Sequence, residues 1–210
     1  VMEDLDLGMN YWMSDPFKYP TKPFKRGKVL SQKELEKIKE FKRYGDPDKD
    51  GVPYRILPGT RHPLSGYLTR GSGHNSEAVY SEKPEDYVAL MDRLSKKFKT
   101  LTKDIPAPEI VDKDNDVGII YFGSPSEAVR EAVYFLEKEH KKKVDTLRLR
   151  GFPFQKEVRD FITKHKKVIV VEMNRDAQMK TLLQTELQLE KNNLASLLNY
   201  SGHPLPSKLL

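Results

Sequence analysis

"DVGIIYFGSPSEAVREAVYFLEKEH", residues 116–140, decides how this chain folds. "VGIIYF" (117–122) is a short apolar run without alternation, the pattern of a strand buried on both faces. Ser124-Pro125-Ser126-Glu127 then reads as a helix start, with capping-box spacing S-x-x-E and proline at the first helical position. The helix is expected to reach about Glu139 and to turn Ala128, Ala132, Val133 and Leu136 inward. A buried strand followed by a capped helix is half of a βαβ unit, and the chain beyond repeats it. "VDTLRL" (144–149) is a strand, residues 156–165 a short helix, and "KVIVVE" (167–172) a strand. Residues 175–188 are a helix with Met179, Leu182 and Leu183 inside, and "LASLLNY" (194–200) is the last strand. This alternation predicts an α/β domain over residues 110–210. Its architecture is a three-layer, open, mostly parallel sheet with right-handed crossovers and helices on both faces.

Upstream the texture changes. Residues 13–66 hold Pro16, Pro20, Pro23, Pro47, Pro53, Pro58 and Pro63, half of the chain's 14 prolines. Proline at that density blocks helix interiors and sheet ladders, so residues 13–109 read as an extended, Pro-rich arm. Two helices interrupt it. One spans about 32–42, started by a capping box of Ser31 and Glu34. The other spans about 84–99, with Pro84 in its first turn and Tyr87, Leu90, Met91, Leu94 and Phe98 along one face. "TKDIPAPEIVDKDND" (102–116) reads as a linker. At the start of the sequence, Leu5, Leu7 and Met9 alternate with Asp4, Asp6 and Gly8, a half-buried strand within residues 1–12.

Composition narrows the function. There are no cysteines, so the chain itself offers no disulfide, iron–sulfur cluster or thiolate zinc site. No apolar run approaches the roughly 18 residues of a membrane span, and no signal pattern opens the sequence, so the cytoplasm is the expected compartment and no membrane the expected partner. The net charge of +6 lies in short clusters, among them Lys141-Lys142-Lys143. These fall at expected helix ends without groove-reading motifs, and nucleic acid is not an expected partner. "DPDKDG" (46–51) has the spacing of half a calcium loop, but its twelfth position is Leu57, so it reads as a turn and no metal is expected.

Two places could carry chemistry. "TRGSGHN" sets Thr69, Arg70, Gly71, Gly73, His74 and Asn75 in one loop. Its glycines could reach positive φ and bring successive amides into an anion-binding nest. Arg70 would add a bidentate fork for a carboxylate or phosphate, and His74 a hydrogen bond or a proton. The opposing reading is a plain turn whose His74 and Asn75 satisfy backbone groups. The second place follows from the fold, since open parallel sheets bind at the carboxyl ends of their strands. Arg150, Glu172, Asn174 and Arg175 fall there. Asn174 is a ready helix cap, and Glu172 and Arg175 could pair with each other or with a neighbouring subunit.

Six motifs carry a resemblance. "DLDLGMNYW" (4–12), "DGVPYRILPGT" (50–60), "GYLTRGSGHNSEAVYSEKPEDYVALMDRLSKKF" (66–98), "DVGIIYFGS" (116–124), "LRLRGFPF" (147–154) and "VVEMNRDAQM" (170–179) occur in this order. Together they resemble the C-terminal part of the alpha subunit of 2-oxoacid:ferredoxin oxidoreductases, the 2-oxoglutarate type in particular. The resemblance implies a thiamine-diphosphate enzyme that decarboxylates a 2-oxoacid, forms acyl-CoA and passes electrons through an iron–sulfur cluster to ferredoxin. It implies that residues 1–12 are the last strand of a truncated pyrimidine-binding domain, 13–109 a connecting arm, and 110–210 a domain like the C-terminal one of transketolase. It also implies partners: the beta subunit, the remainder of the alpha chain and, indirectly, ferredoxin. Thiamine diphosphate, magnesium, the iron–sulfur cluster and coenzyme A would belong to the full complex, and the isolated chain would be inactive. Thr69, Arg70, His74 and Asn75 match the family's motif and would lie near the active centre, with Arg70 on the substrate's distal carboxylate. The alternative is an autonomous anion- or nucleotide-binding or protein-interaction module.

Overall fold

The run at 117–121 forms the central strand of a five-stranded sheet. The computed structural model of the chain describes residues 8–9, 11, 15–16, 18–22, 24–68, 71–190 and 193–210. The chain divides into two compact units, residues 15–104 and residues 105–210 together with 1–14. In the second unit the strands are β1 (Glu109–Val111), β2 (Val117–Tyr121), β3 (Asp145–Arg148), β4 (Lys167–Glu172) and β5 (Leu194–Leu198). Their spatial order is β1-β3-β2-β4-β5. β2 pairs in parallel with β3 and β4, and β4 in parallel with β5. Three helices join this unit, α3 (Ser126–Lys138), α4 (Lys156–Lys164) and α5 (Gln178–Leu187), while α1 (Gln32–Leu35) and α2 (Pro84–Leu101) belong to the other.

Alternation along β2 sorts the two faces. Ile119 and Tyr121 pack with Val129 of α3, Val171 and Leu205. Ile120 points the other way, into a cluster with Leu147, Val168, Val170, Phe161 and Ile162 of α4, and Leu183 of α5. Each such side chain stabilises the fold by roughly 1.5–3 kcal/mol when fully buried. The expected three-layer α/β architecture, with helices on both faces, is therefore the one observed.

Two local expectations are corrected. Residues 109–111, read as linker, form the edge strand β1, antiparallel to β3 with Ile110 opposite Leu147. All three of its residues are exposed, so no burial period marks it in sequence. Pro106 and Pro108 stand before it, where a missing amide costs an edge strand nothing. The Ser124–Glu127 capping box is also absent. α3 begins at Ser126, its N-cap Pro125 makes no side-chain cap, and the Ser126 hydroxyl donates back to the Gly123 carbonyl at 2.5 Å. Glu127 instead pairs with Arg130 at 2.8 Å in exposed positions.

At the amino ends of the strands lies a buried polar cluster. The Asp145 carboxylate accepts from the Lys113 amide (2.9 Å), the Asn115 amide (3.0 Å) and the Asn115 side chain (2.6 Å). His165 Nε2 stands 3.1 Å from the same carboxylate, while its Nδ1 faces the Phe161 carbonyl at 2.6 Å. Asn193 ties this cluster to β5 by donating to the Ile162 and His165 carbonyls.

In the unit of residues 15–104, α1 is a single turn, Gln32–Leu35, and α2 spans Pro84–Leu101. The Ser31–Glu34 capping box forms with both of its hydrogen bonds. The helix expected to reach residue 42 nevertheless stops early, and Lys37 and Ile38 bond three residues back, to Glu34 and Leu35. Leu35 is its one buried residue, and a helix with so little face to pack is marginal in water. Of the face expected to point inward on α2, Leu90 and Leu94 are half-buried while Tyr87, Met91 and Phe98 are exposed. "DPDKDG" is a turn: Asp46 accepts from the Asp50 and Gly51 amides, and the Lys28 ammonium sits 2.6 Å from Asp48 and 2.8 Å from Asp50. The strand expected within residues 1–12 lies mostly outside the described residues, and Gly8 and Met9, which are described, are helical.

Candidate functional site

Thr69 and Arg70 lie outside the described residues; the rest of their loop is built as a tight ladder. Ser81 donates to the Gly73 carbonyl at 3.2 Å, and His74 bridges antiparallel to Tyr80. Neither Gly71 nor Gly73 takes a left-handed φ, so the expected nest of converging amides does not form. Gly73 is small for a different reason: a Cβ there would stand 2.8 Å from the Ser81 carbonyl oxygen. Asn75 builds the turn, its Oδ1 accepting from the Glu77 and Val79 amides at 3.1 and 3.0 Å, which holds Ala78 at φ +73.

His74 is 8% exposed and stacks on Tyr44, ring centroids 3.9 Å apart and planes 18° from parallel. Its Nδ1 lies 3.0 Å from the Asn75 carbonyl. Two guanidiniums flank Tyr44, Arg43 at 4.8 Å and Arg93 at 5.6 Å from the ring centroid. Cation–π contacts of this kind contribute about 0.5–1 kcal/mol at exposed sites and more when desolvated. Arg93 donates to the Gly51 carbonyl at 3.1 Å, and burial draws its pKa below the usual arginine value. Neither arginine is in an ion pair among the described residues. A cavity of about 150 Å³ is lined by His74, Tyr44, Asp86 and Arg93, among others. An aromatic-braced histidine beside a guanidinium without an ion-pair partner suits a small anion. Sequence reading missed Tyr44 and Arg93. The signal for Arg93 was present, since Asp86, Leu90 and Arg93 share one face of α2 at i, i+4 and i+7.

The second unit presents the carboxyl ends of its strands. Chain direction across the sheet reverses at β2, which has β3 on one side and β4 on the other, the switch point where such sheets bind ligands. A cavity of about 450 Å³ opens there, lined by Phe122, Gly123, Arg148, Arg150, Phe152 and Met179, among others. Phe152 meets Phe154 edge to face at 5.3 Å. Arg150, 45% exposed, reaches Glu109 at 3.8 Å, and Arg148 reaches the same carboxylate at 3.3 Å.

The four residues picked out at these ends divide. Glu172 is fully buried and offers a partner no surface, nor does it pair with Arg175. Its carboxylate accepts from the Met179 amide (2.7 Å), the Lys180 amide (3.0 Å) and the Asn174 side chain (2.8 Å), closing the start of α5. A carboxylate there meets the positive end of the helix dipole and satisfies amides left over by the first turn. Asn174 Oδ1 accepts from the Asp176 and Gln178 amides in the turn before α5, whose N-cap is Ala177 and makes no side-chain cap, so Asn174 does not occupy the cap position expected of it. Arg175 is 73% exposed and pairs only with its neighbour Asp176 among the described residues, at 2.8 Å. Glu172→Ala strands two part-buried amides, so urea denaturation should show a loss of about 1–2 kcal/mol. Glu172→Gln, which keeps an acceptor oxygen, should recover part of it.

No family model matches the sequence. At 26% identity over 187 residues, 86% of its length, the chain is similar to the 2-oxoacid:ferredoxin oxidoreductase subunit alpha of Saccharolobus solfataricus, of which it spans 28%. Among solved structures, a 2-oxoglutarate:ferredoxin oxidoreductase from Magnetococcus marinus, with 2-oxoglutarate, coenzyme A and succinyl-CoA bound, superposes at TM-score 0.69 and 24% identity. That likeness covers 80% of this chain and 29% of the other, and it shows the fold. The resemblance carried by the six motifs and the likeness to the curated relative point to the same subunit.

Proposed function

We propose that this chain is part of the alpha subunit of a thiamine-diphosphate-dependent 2-oxoacid:ferredoxin oxidoreductase, with 2-oxoglutarate as its substrate. The observation that carries the proposal is the 187-residue likeness to a curated alpha subunit. The 2-oxoglutarate preference is supported by the superposing enzyme, which binds 2-oxoglutarate, coenzyme A and succinyl-CoA.

The chain's own residues do not suit the cofactors. It has no cysteine for a cluster and no G-D-G for a diphosphate-bound magnesium ion. Among the described residues, no group of three or more His, Cys, Asp or Glu could hold a metal. Those groups fall to other polypeptide, the beta subunit and the remainder of the alpha chain. What this chain contributes is the sequence segment 69–75, braced at His74, with Arg70 as the residue for the substrate's distal carboxylate. Arg150 and Arg175 are exposed and available to a partner subunit.

The test is a purified complex containing this chain and a beta subunit. Coenzyme A-dependent reduction of ferredoxin by 2-oxoglutarate is the expected result, and its absence with any 2-oxoacid overturns the proposal. Arg70→Ala should lower kcat/KM for 2-oxoglutarate by about 2–5 kcal/mol, roughly 30-fold or more, as loss of a buried charged contact does. An unchanged KM and turnover would remove Arg70 from the site while leaving the family reading in place.

A further inference from the structure

Away from both places described above, α3 does not seal against the edge of the sheet. Between α3 and the β1–β3 edge lies a cavity of about 240 Å³. Its wall is largely apolar, with Val111, Val129, Val133 and Val144. Two hydroxyl-bearing side chains share that wall, Tyr121 of β2 and Thr146 of β3, exposed by 5% and 8%. Neither hydroxyl has a hydrogen-bond partner among the described residues. A hydroxyl that opens into a cavity keeps solvent as its partner until a guest replaces it. Neither is sealed off, since the one buried side-chain polar atom without a partner among the described residues is Asn193 Oδ1.

Charge around the cavity is just as one-sided. Arg130 and Glu109 are engaged with each other and with Glu127, Arg148 and Arg150. Lys113, Lys142 and Lys143 also line the cavity, and none has an ion pair among the described residues. Glu137 is the one other acidic residue there, leaving three ammonium groups to one carboxylate.

We propose that this cavity is a binding site for a small amphiphilic organic anion. Its apolar body lies among the valines, an oxygen of it meets the Tyr121 and Thr146 hydroxyls, and its carboxylate or phosphate faces Lys142 and Lys143. The volume sits just under the range of drug-sized pockets, which limits the guest to a short chain or a single ring. The proposal does not depend on the oxidoreductase reading.

Isothermal titration calorimetry on the full chain tests it, with hexanoate and hexyl phosphate as probes and hexanol and inorganic phosphate as their neutral and non-apolar counterparts. One saturable site for hexanoate or hexyl phosphate is expected, at least tenfold tighter than for either counterpart; which anion binds tighter identifies the head group. Lys142→Glu with Lys143→Glu, both on the surface, should weaken it tenfold or more. Val133→Trp, which fills the cavity, should abolish it while circular dichroism shows the fold retained. Tyr121→Phe should weaken it without changing the stoichiometry. The proposal is overturned if neither amphiphile saturates. It is equally overturned if hexanol or phosphate binds as well as they do, or if the lysine pair proves irrelevant to affinity.

Discussion

Asp145→Ala is expected to cost the fold about 3–5 kcal/mol, read as a lowered urea midpoint with an unchanged slope. The reason is what the carboxylate holds. Two backbone amides, an asparagine side chain and a histidine ring all point at it, and the carboxylate and the ring are both fully buried. Truncation leaves these groups unpaired at once, and a buried donor without a partner bears its full desolvation penalty. The acid behaviour follows from the same geometry. Burial pushes the Asp145 carboxyl up, but hydrogen bonds from the Lys113 amide, the Asn115 side chain and amide, and His165 outweigh it and hold the group well below the usual carboxylate range. A group depressed in the folded state keeps its proton off there while the unfolded chain takes one up. Its contribution is therefore complete above the unfolded value, about pH 4, and drains away as pH falls below that. Asp145→Asn should lose most at neutral pH and converge on the parent as the solution is acidified. Equal stabilities of parent and Asp145→Asn at pH 7 would refute the role given to this cluster.

The sheet was legible in sequence because its period is strong. Three of the four parallel strands, β2, β4 and β5, are mainly apolar runs of five or six residues, and tertiary packing agrees with the local pattern at Ile120, Leu147, Val168 and Val170. Helix boundaries in that unit fell within a few residues for the same reason. What escaped had no periodic mark. The strand at 109–111 is exposed throughout and is stabilised by its ladder with β3 rather than by its own composition. The single turn at 32–35 carried a correct capping signature, yet a cap starts a helix and cannot extend one whose remaining turns have nothing to bury. At the candidate site, Asn75 builds a local turn with Glu77 and Val79, but the bracing of His74 comes from a partner far off in sequence. Tyr44 stacks on His74 across thirty positions, and Glu172 turns inward to α5 instead of outward to Arg175. Residue chemistry named His74 and Asn75 but not Tyr44 or Arg93. Contacts across the fold assigned their work.

Those contacts make the turn at Gly51 the most sensitive point of the other unit. Gly51 has φ +80, and a Cβ placed on it would stand 2.4 Å from the Lys97 amide nitrogen and 2.7 Å from the Arg93 carbonyl oxygen, both backbone atoms of α2. Nothing there is the flexible end of a side chain that could swing aside, so α2 itself must shift. Gly59 provides the comparison, with φ +90 and nothing within 4 Å of an added methyl group. Gly59→Ala should cost only the left-handed strain, about 1–2 kcal/mol. Gly51→Ala adds overpacking against backbone and should cost about 3–5 kcal/mol. The excess has a destination, because the Gly51 carbonyl holds Arg93, Arg93 flanks Tyr44, and Tyr44 braces His74. Near-ultraviolet circular dichroism from the stacked Tyr44 should therefore change in Gly51→Ala and stay as it is in Gly59→Ala. Equal costs for the two substitutions would mean that α2 does not approach the turn as closely as described, and the bracing of the histidine loop would lose its foundation.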